Sequence, residues 1–376
     1  MHPSSLLSYY PTYAILDEIV SYGNYRTLNI FLDLKNVMQS LYMEHAIVNI
    51  VEASKDAKYL DTSVFSSLIS FLSFHKIYGI KRGINTNFTI FFESGQSYYH
   101  KNIDKNYKIS RRIDDLYGLD AKDRELFFGV LNSNYKLVEA ACNKMPDVRV
   151  VRLPNLEADF LPYYVTTRDL IPKGNGVGNV VYSNDHDLWQ CLNDDVFIYS
   201  KAGKHKKILK AGSVMTQFLK KPVEIPDRFL PLAMAVIGDP GDDVVGVKTI
   251  GPASFITAFK ELVALTGDMD VVYDNIENRR PLIDPIPPSI VNKKLRTIVD
   301  AEVANETISK NLRLVSFELI SRALDNPIKT DMIDKRKIIE KQFTGERDIF
   351  PLESMKKALE QNNVYLENSS IDFLYI

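Results

Sequence analysis

Short apolar runs that end in an acidic residue recur along the first half of this chain. Residues 27–33 and 87–93 are rich in Leu, Ile, Phe and Thr, and each run stops at a carboxylate. Runs of this length and composition predict buried strands, whereas the apolar spacing of residues 64–77 predicts a helix. The predicted strands span residues 27–33, 87–93, 147–153, 177–183 and 195–199. Strands that alternate with helices predict an α/β fold with a mostly parallel central sheet flanked by helices.

The acidic residues at the strand ends are the first candidates for chemistry. Asp33 and Glu93 close the first two predicted strands, and an acidic pair follows both the third and the fourth. A single acid after a strand is commonly a helix N-cap. In a parallel sheet, however, the site lies outside the carboxyl ends of the strands, where all four elements would deliver their acids. Two more acids lie three residues apart in the glycine-rich turn of residues 237–252. The eight candidates are Asp33, Glu93, Glu157, Asp159, Asp185, Asp187, Asp239 and Asp242.

Eight carboxylates in one cleft are unfavourable without cations. Two such charges about 4 Å apart repel by about 4 kcal/mol at an effective dielectric near 20. Protonation or a bound divalent ion relieves this repulsion, and ligands that are all oxygen favour Mg²⁺ or Mn²⁺ over Zn²⁺. His186 lies between two of the acids and is interpreted as a spacer that points away from the metals. Solvated surface acids are the alternative, and they explain the glycine-rich turn alone equally well.

Residues 98–112 form a basic segment in a chain whose net charge is −2. Five cationic side chains face the single acid Asp104, and Tyr98, Tyr99 and Tyr107 are interleaved with them. Phosphate contacts beside aromatic stacking faces predict nucleic-acid binding, whereas a solvated helix face with packed tyrosines is the alternative. The cationic residues are Lys101, Lys105, Lys108, Arg111 and Arg112.

Two further stretches are candidates for contact with duplex nucleic acid. Residues 201–221 hold seven lysines and no acid, and are predicted to form a hairpin and a short helix that either support duplex or are simply solvated. The turn of residues 246–251 has glycine at both ends, which lets the backbone tighten and present its polar groups outward. Gly246, Lys248 and Gly251 are therefore predicted to hold a phosphate backbone without reading sequence.

Composition restricts the class of protein. At 376 residues, 45% hydrophobic and 25% charged, the chain is typical of a soluble globular protein with two or three packed units. Cys142 and Cys191 give no disulfide framework and fit a reducing cytosol. The tyrosine-rich start lacks the order of a signal peptide, and no apolar run approaches the roughly 20 residues of a membrane helix. We expect a cytoplasmic protein with no membrane partner.

In their order along the chain, these motifs resemble those of the flap endonuclease superfamily of 5′ nucleases, above all its phage ribonuclease H and 5′-to-3′ exonuclease branch. The resemblance covers about residues 27–265. Each motif alone is weakly specific, and the ordered set carries the resemblance. The motifs are Asp33, Phe92-Glu93-Ser94-Gly95, Tyr107-Lys108-Ile109-Ser110-Arg111, Glu157-Ala158-Asp159, Ser183-Asn184-Asp185-His186-Asp187-Leu188, Gly238-Asp239-Pro240-Gly241-Asp242-Asp243 and Gly246-Val247-Lys248-Thr249-Ile250-Gly251-Pro252.

The resemblance implies a PIN-like core with a helical arch, a helix-hairpin-helix element and two-metal hydrolysis of phosphodiesters. Two Mg²⁺ or Mn²⁺ ions would share the eight carboxylates, and a K⁺ ion would bind at the turn of residues 246–251. Lys108 and Arg111 would be the catalytic cations on the phosphate next to the cut. Two positions depart from the family pattern, because Glu93 stands where Asp is usual and Asp243 where Asn is usual. Neither change removes a carboxylate. The resemblance assigns Asp33, Glu93, Glu157 and Asp159 to one ion, and Asp159, Asp185, Asp187, Asp239 and Asp242 to the other.

Four regions are expected along the chain. They are an N-terminal helical extension (1–26), an α/β nuclease core (27–236, with the arch at about 94–150), a helix-hairpin-helix and helical region (237–310) and a C-terminal region (311–376). The last region is predicted to dock replication proteins, such as a single-strand-binding protein or a clamp. Its end, residues 371–376, is apolar enough to be an interaction peptide or a docked strand.

The function expected from this set is a Mg²⁺-dependent, structure-specific 5′ nuclease. Its substrate would be a DNA or RNA–DNA duplex with a 5′ single-stranded end, and its role the removal of RNA primers or flaps in replication. It would act in the cytoplasm, which is that of the host if a phage encodes the chain. One alternative is a junction-binding replication factor that has this fold and no turnover. A second is a single-strand ribonuclease with the same acidic core.

Overall fold

A computed structural model gives the arrangement of most of the chain. It describes residues 12–38, 57–109, 121–172, 174–202, 205–284, 290–326, 330–362, 364 and 371–376.

A six-stranded sheet forms the centre of the protein. Its order is β3-β2-β1-β4-β5-β6; β1 to β5 run parallel, and β6 pairs antiparallel with β5. The strands are β1 (Thr27–Asp33), β2 (Asn85–Ser94), β3 (Val148–Pro154), β4 (Val177–Tyr182), β5 (Val196–Ala202) and β6 (His205–Leu209). The predicted mostly parallel sheet is confirmed, and every predicted strand is present.

The strands are apolar because helices cover both faces of the sheet. In β1 the five central residues are all buried, as expected for a parallel strand covered on both sides. The helices are α1 (Tyr13–Gly23), α2 (Ala57–Arg82), α3 (Tyr98–Ile103), α4 (Ala121–Cys142), α5 (Leu161–Thr167), α6 (Val214–Leu219), α7 (Leu230–Ile237), α8 (Pro252–Thr266), α9 (Met269–Glu277), α10 (Lys293–Asn305), α11 (Thr307–Val315), α12 (Phe317–Asp325), α13 (Thr330–Thr344) and α14 (Leu352–Gln361). Two apolar clusters result, one on each face.

The register of the strands brings their carboxyl ends to one edge. Asp33 pairs with Phe91, two residues before Glu93, and Glu93 pairs with Leu153 near the end of β3. On the other side of β1, Leu32 pairs with Tyr182, the last residue of β4. The order of strands reverses between β1 and β4, which is where ligands bind in open sheets of this kind.

Both ends of the described chain pack onto one face of this sheet. α1 begins after Thr12, whose hydroxyl accepts from the amide of Ile15 at 3.3 Å, and it buries Leu16 and Ile19 in the same cluster as α2. The helix expected in the N-terminal region is present and contributes to the core. Residues 371–376 form a single 3₁₀ turn that buries Ile371 and Leu374 in that cluster. The C-terminal segment is therefore docked on the core, as one of the two alternatives predicted, but it forms a turn and not a strand.

Among the helices that the structure describes, none combines the length and apolarity needed to cross a membrane.

Candidate active site

Asp33 links the two strands that flank the reversal of strand order. The backbone amide of Asn36 donates to Asp33 Oδ1 at 3.1 Å, so the carboxylate caps the helical segment of residues 34–38. The hydroxyl of Ser183, directly after β4, donates to Asp33 Oδ2 at 3.3 Å. The N-cap and site interpretations of this acid therefore both apply, because the cap leaves the carboxylate facing the edge of the sheet.

Five of the eight predicted carboxylates line one cleft at this edge. The cleft has a volume of about 170 Å³, and two lysines lie among the acids. Its lining residues are Asp33, Lys35, Asn36, Phe91, Glu93, Lys108, Glu157, Asp159 and Asp185.

The other three carboxylates, Asp187, Asp239 and Asp242, form a second group, the aspartate triad. One oxygen from each lies within 4.8 Å of the others. Asp187 opens a 3₁₀ turn, and its amide donates to Asp185 Oδ1 at 3.1 Å. Asp239 turns the chain by accepting from the amide of Gly241 at 2.9 Å. The structure thus brings all eight predicted acids together, as a cleft and an adjoining triad.

Lys108 connects the cleft with the triad. Its Nζ lies 2.5 Å from Glu157 Oε1 and 3.0 Å from Asp242 Oδ2, and its amide donates to the carbonyl of Asp242 at 3.0 Å. Lys108 has a φ of 54°, in the left-handed region that is uncommon for a residue with a side chain. Such conformations are concentrated at functional sites, where surrounding contacts hold them in place.

Tyr107 also connects the cleft with the triad. Its hydroxyl lies 3.0 Å from Glu157 Oε2 and 2.9 Å from Asp242 Oδ2, and its ring stacks on His100 with centroids 4.6 Å apart. The ring is buried. The prediction that Tyr107 offers a stacking face to nucleic acid is therefore wrong, because His100 already covers that face.

All eight acids are buried or half-buried, and the pKa values of several are shifted as a result. Burial, and then the neighbouring Glu93, raise the pKa of the Asp33 carboxyl to about 7. Burial and nearby carboxylates raise the pKa of Asp159 and of Asp187 well above the ordinary range. Burial also acts to raise the pKa of Glu157, but His100 and Lys108 outweigh it and lower that pKa to about 2. Ionising the whole set therefore requires added positive charge.

The donor set fits divalent metal ions. Oδ1 of Asp159, in the cleft lining, and Oδ1 of Asp187, in the triad, are buried and have no hydrogen-bond partner among the residues that the structure describes. A buried carboxylate oxygen without a partner is costly, and a cation bound there would remove the cost. Every donor is a carboxylate oxygen, which suits a hard ion such as Mg²⁺ or Mn²⁺.

The predicted basic segment has mixed outcomes. Lys101 is held locally, since its Nζ donates to the backbone carbonyls of Lys105 (3.3 Å) and Tyr107. Lys105 is exposed, whereas Lys108 points into the cleft. Arg111 and Arg112 lie outside the described residues, so their predicted roles stay predictions.

The turn of residues 246–251 departs from the expected use of its glycines. A Cβ on Gly246 would lie 2.1 Å from the carbonyl oxygen of Ile237, so this glycine permits close backbone packing. Around Gly251 there is open space, and the positive φ of the turn belongs to Thr249 at 66°. Lys248 is exposed. The exposed part of the turn is therefore residues 248 and 249, and the half-buried Gly251 precedes α8 as its N-cap.

The lysine-rich stretch forms the predicted hairpin of β5 and β6 followed by α6. It lies beside the turn that follows β4, since Lys207 Nζ is 5.7 Å from the centre of the Trp189 ring. The same Nζ donates to Gln217 Oε1 at 3.0 Å. Its predicted support of duplex stays a prediction.

Three residues at the site were not predicted from the sequence. Lys35 and Asn36 line the cleft directly after β1. Asn311, on α11, donates from Nδ2 to the carbonyls of Ala235 at 2.8 Å and Val245 at 2.9 Å, and so holds α7 to the far side of the aspartate turn. Polar residues two and three positions after a strand-end acid are a usable signal for the first two, whereas nothing local marks Asn311.

Two curated proteins are similar in sequence to part of this chain. A 5′-3′ exonuclease of Aquifex aeolicus (strain VF5) is 26% identical over 170 residues, which cover 44% of this chain and 54% of that protein. A 5′-3′ exonuclease of Buchnera aphidicola subsp. Baizongia pistaciae (strain Bp) is 26% identical over 185 residues, which cover 49% of this chain and 51% of that protein. The chain spans about half the length of these relatives. No family model matches the chain.

Solved structures share the fold over most of the chain. The T5 D15 protein co-crystallized with metal ions superposes with a TM-score of 0.55 at 18% identity, covering 83% of this chain and 98% of that one. At this identity the likeness is one of fold. Taken with the sequence relatives and the ordered acidic motifs, it supports a place for the chain in the 5′ nuclease superfamily.

Proposed function

We propose that this protein is a Mg²⁺-dependent, structure-specific 5′ nuclease that cleaves phosphodiesters near the 5′ end of a strand at a duplex junction. The observation that carries the proposal is the pair of buried, unpartnered oxygens of Asp159 and Asp187 within a group of eight carboxylates. A protein that only bound nucleic acid would gain nothing from collecting so much negative charge where phosphates must approach. The curated relatives are named 5′-3′ exonucleases, which supports the same activity.

Two divalent ions, Mg²⁺ or Mn²⁺, are the proposed cofactors. Asp33, Glu93, Glu157 and Asp159 would hold one, and Asp159 with Asp185 and the aspartate triad the other. When bound, such a pair supplies an activated water and stabilises charge on the scissile phosphate. Two T5 structures of this fold contain metal ions, which are divalent zinc in one of them, and this supports divalent-ion binding here.

The chain's own residues have separate roles in this proposal. Tyr107 and Lys108 hold Glu157 against Asp242, and so keep the cleft and the triad in one geometry. Lys108 is the proposed catalytic cation, with Arg111 as its partner. Lys101, Lys105 and Arg112 would extend the basic segment along the 5′ single strand.

The duplex arm would be held on the other side of the aspartate turn. Lys248 is exposed there, and there is open space beside the Cα of Gly251, the N-cap of α8, so a phosphate backbone could approach closely. A K⁺ ion at this turn is part of the proposal. One T5 structure of this fold is a flap endonuclease in complex with DNA and metal ions. It superposes with a TM-score of 0.53 at 18% identity, covering 83% of this chain and 99% of that one.

The wider role proposed is the removal of RNA primers or DNA flaps during replication in the cytoplasm. Residues 311–376 are the proposed docking region for a single-strand-binding protein or a clamp.

The test is cleavage of three 5′-labelled substrates: flap DNA, an RNA-primed duplex and single-stranded RNA. Each is incubated with Mg²⁺, with Mn²⁺ and with EDTA. Cleavage near the 5′ junction that requires the metal supports the proposal, and the ratio of the first two rates gives the substrate preference. Tight binding to the flap without cleavage under any metal would favour a non-catalytic junction-binding factor. Faster cleavage of the single strand than of both junctions would favour a ribonuclease.

A further inference from the structure

Lys35 stands at the rim of the cleft in a fixed position. It comes two residues after Asp33, and the bond from the Asn36 amide to Asp33 Oδ1 fixes the backbone on either side of it. Its ammonium lies 3.4 Å from Glu93 Oε1, with the two side chains 50% and 31% exposed. The residue therefore places a positive charge where the carboxyl ends of β1 and β2 meet the solvent.

The second lysine of the lining has a different environment. Lys108 is only 20% exposed, and its Nζ contacts Glu157 and Asp242 at 2.5 and 3.0 Å. Within the described lining of the cleft, Lys35 and Lys108 are the two cations, one at the rim and one deep inside. The two lysines pair with different acids, Lys35 with Glu93 and Lys108 with Glu157 and Asp242.

The contact between Lys35 and Glu93 is weak enough to be exchanged. An exposed ion pair of this length gains little in water and is screened by salt. A phosphate oxygen offers the same ammonium a charge-assisted hydrogen bond, and the flexible lysine stem lets the charge move by several ångströms. Metal bound to the Glu93 carboxylate would compete with Lys35 for it and favour the exchange.

We propose that Lys35 is a substrate-contacting residue: its ammonium leaves Glu93 and binds a phosphodiester oxygen of the strand that enters the cleft on the Asp33–Glu93 side. The inference rests on the proposed nuclease function and adds a phosphate contact outside the basic segment of residues 98–112. The alternative is that Lys35 serves only to neutralise Glu93. The two differ in what happens to DNA affinity and to metal affinity when the charge is removed.

The first experiment measures binding of fluorescent 5′-flap DNA by anisotropy at several salt concentrations. It is done in Ca²⁺ buffer, with the DNA shown to stay intact on a denaturing gel. Lys35→Ala should weaken binding roughly three- to tenfold and lower the salt slope by about 0.7–0.9, the value for one lost phosphate contact. Lys35→Arg should keep both the affinity and the slope. The control is Lys337→Ala, because Lys337 is also exposed, makes a long ion pair with Asp334 and lies outside the cleft lining.

The second experiment locates the phosphate. Single neutral methylphosphonate linkages are placed in turn along the flap strand around the junction, and each substrate is tested with wild type and with Lys35→Ala. If Lys35 contacts one phosphodiester, neutralising that linkage should weaken wild type and leave Lys35→Ala almost unaffected, so the two losses are not additive. Additive losses at every linkage would overturn the proposal.

A metal readout separates this inference from its alternative. Mn²⁺ binding is measured by calorimetry without DNA, on wild type and Lys35→Ala. Unchanged or slightly tighter binding is expected, since a competing cation has been removed. An unaltered DNA salt slope together with a several-fold change in Mn²⁺ affinity would show that Lys35 serves Glu93 alone. If wild type cleaves flap DNA and only the Lys35 results fail, the nuclease proposal stands. If wild type cleaves nothing, the nuclease proposal fails first.

Discussion

The hydroxyl of Tyr107 lies 2.9 Å from Oδ2 of Asp242, and this contact joins the segment after α3 to the aspartate turn. The two residues are 135 positions apart in the chain, yet both are buried. Because the same hydroxyl also lies 3.0 Å from Glu157, one neutral donor reduces repulsion between two carboxylates. The basic segment and the acids of the candidate site are therefore connected through this hydroxyl, so a change in one is expected to alter the position of the other.

Replacing Asp185 with Asn should reduce cleavage by several orders of magnitude, and Asp159→Asn should do the same. Both residues line the cleft, and losing a ligand charge weakens divalent-ion binding. DNA binding should persist, because removing an acid near phosphates relieves repulsion. The control is Asp194→Asn, an exposed acid before the amino end of β5, at the opposite edge of the sheet. Near-normal turnover by Asp185→Asn, measured on labelled flap DNA with Mg²⁺, would contradict the two-metal assignment.

Lys108→Ala and Arg111→Ala should weaken binding to substrates with a free 5′ strand more than binding to plain duplex. Each lost phosphate contact should reduce the salt slope by about 0.7–0.9. In Lys108→Ala the Glu157 carboxyl also loses its ion pair at 2.5 Å, so its pKa should rise. Anisotropy at several salt concentrations is the measurement. Parental slopes and parental cleavage in both variants would mean that the segment is only a solvated surface.

The stability of the metal-free protein should fall as the pH rises, because of the Asp33 carboxyl. The pKa of this carboxyl is about 7 in the folded protein against an ordinary value of 3.8, because of burial and Glu93. The folded state therefore holds the proton more tightly, and the contribution to stability present at low pH is lost as the pH rises through about 7. Asp33→Asn removes this titration.

Urea unfolding in EDTA at a series of pH values tests this effect. Relative to Asp33→Asn, wild type should lose stability from pH 5 to about pH 7 and then change little. Adding Mg²⁺ should restore wild type selectively at high pH, because the ion binds the deprotonated carboxylate. A difference between the two proteins that is constant across the series would show that Asp33 keeps an ordinary pKa.

The two glycines of the turn should respond to substitution in opposite ways. Gly246→Ala should destabilise the protein by about 1–3 kcal/mol, because its Cβ would meet the carbonyl of Ile237 at 2.1 Å. Gly251→Val places its side chain in open space at an extended φ of −118°, so stability should stay within about 1 kcal/mol. Its expected defect is weaker duplex binding, seen as a higher KM on nicked or flap DNA with a smaller change in kcat. Unaltered duplex affinity in a well-folded Gly251→Val protein would show that the turn is purely structural.

The strands and the acids were predictable because both are local signals. An apolar run that ends at Asp33 or Glu93 can be recognised from seven residues of sequence. A parallel sheet then brings the ends of such runs together. Tyr107 was placed correctly near the site but given the wrong role, because its burial depends on the ring of His100. Gly246 was misinterpreted for a similar reason. Its neighbour Ile237 becomes adjacent only when Gly238 pairs with Val245 across the turn.

Natural substitutions at Asn311 should affect the candidate site although this residue is far from the acids in sequence. The residue has no carboxylate, yet its side-chain amide donates to the carbonyl of Ala235 in α7 and to that of Val245, just after the aspartate turn, so it ties together the two flanks of that turn. A substitution there would let the distance between Asp242 and Asp187 vary more. The aspartate triad would then accept ions over a wider range of radii. A screen of natural variants for altered ion selectivity would then return a site in the helical half of the sequence, about 70 positions beyond the last ligand.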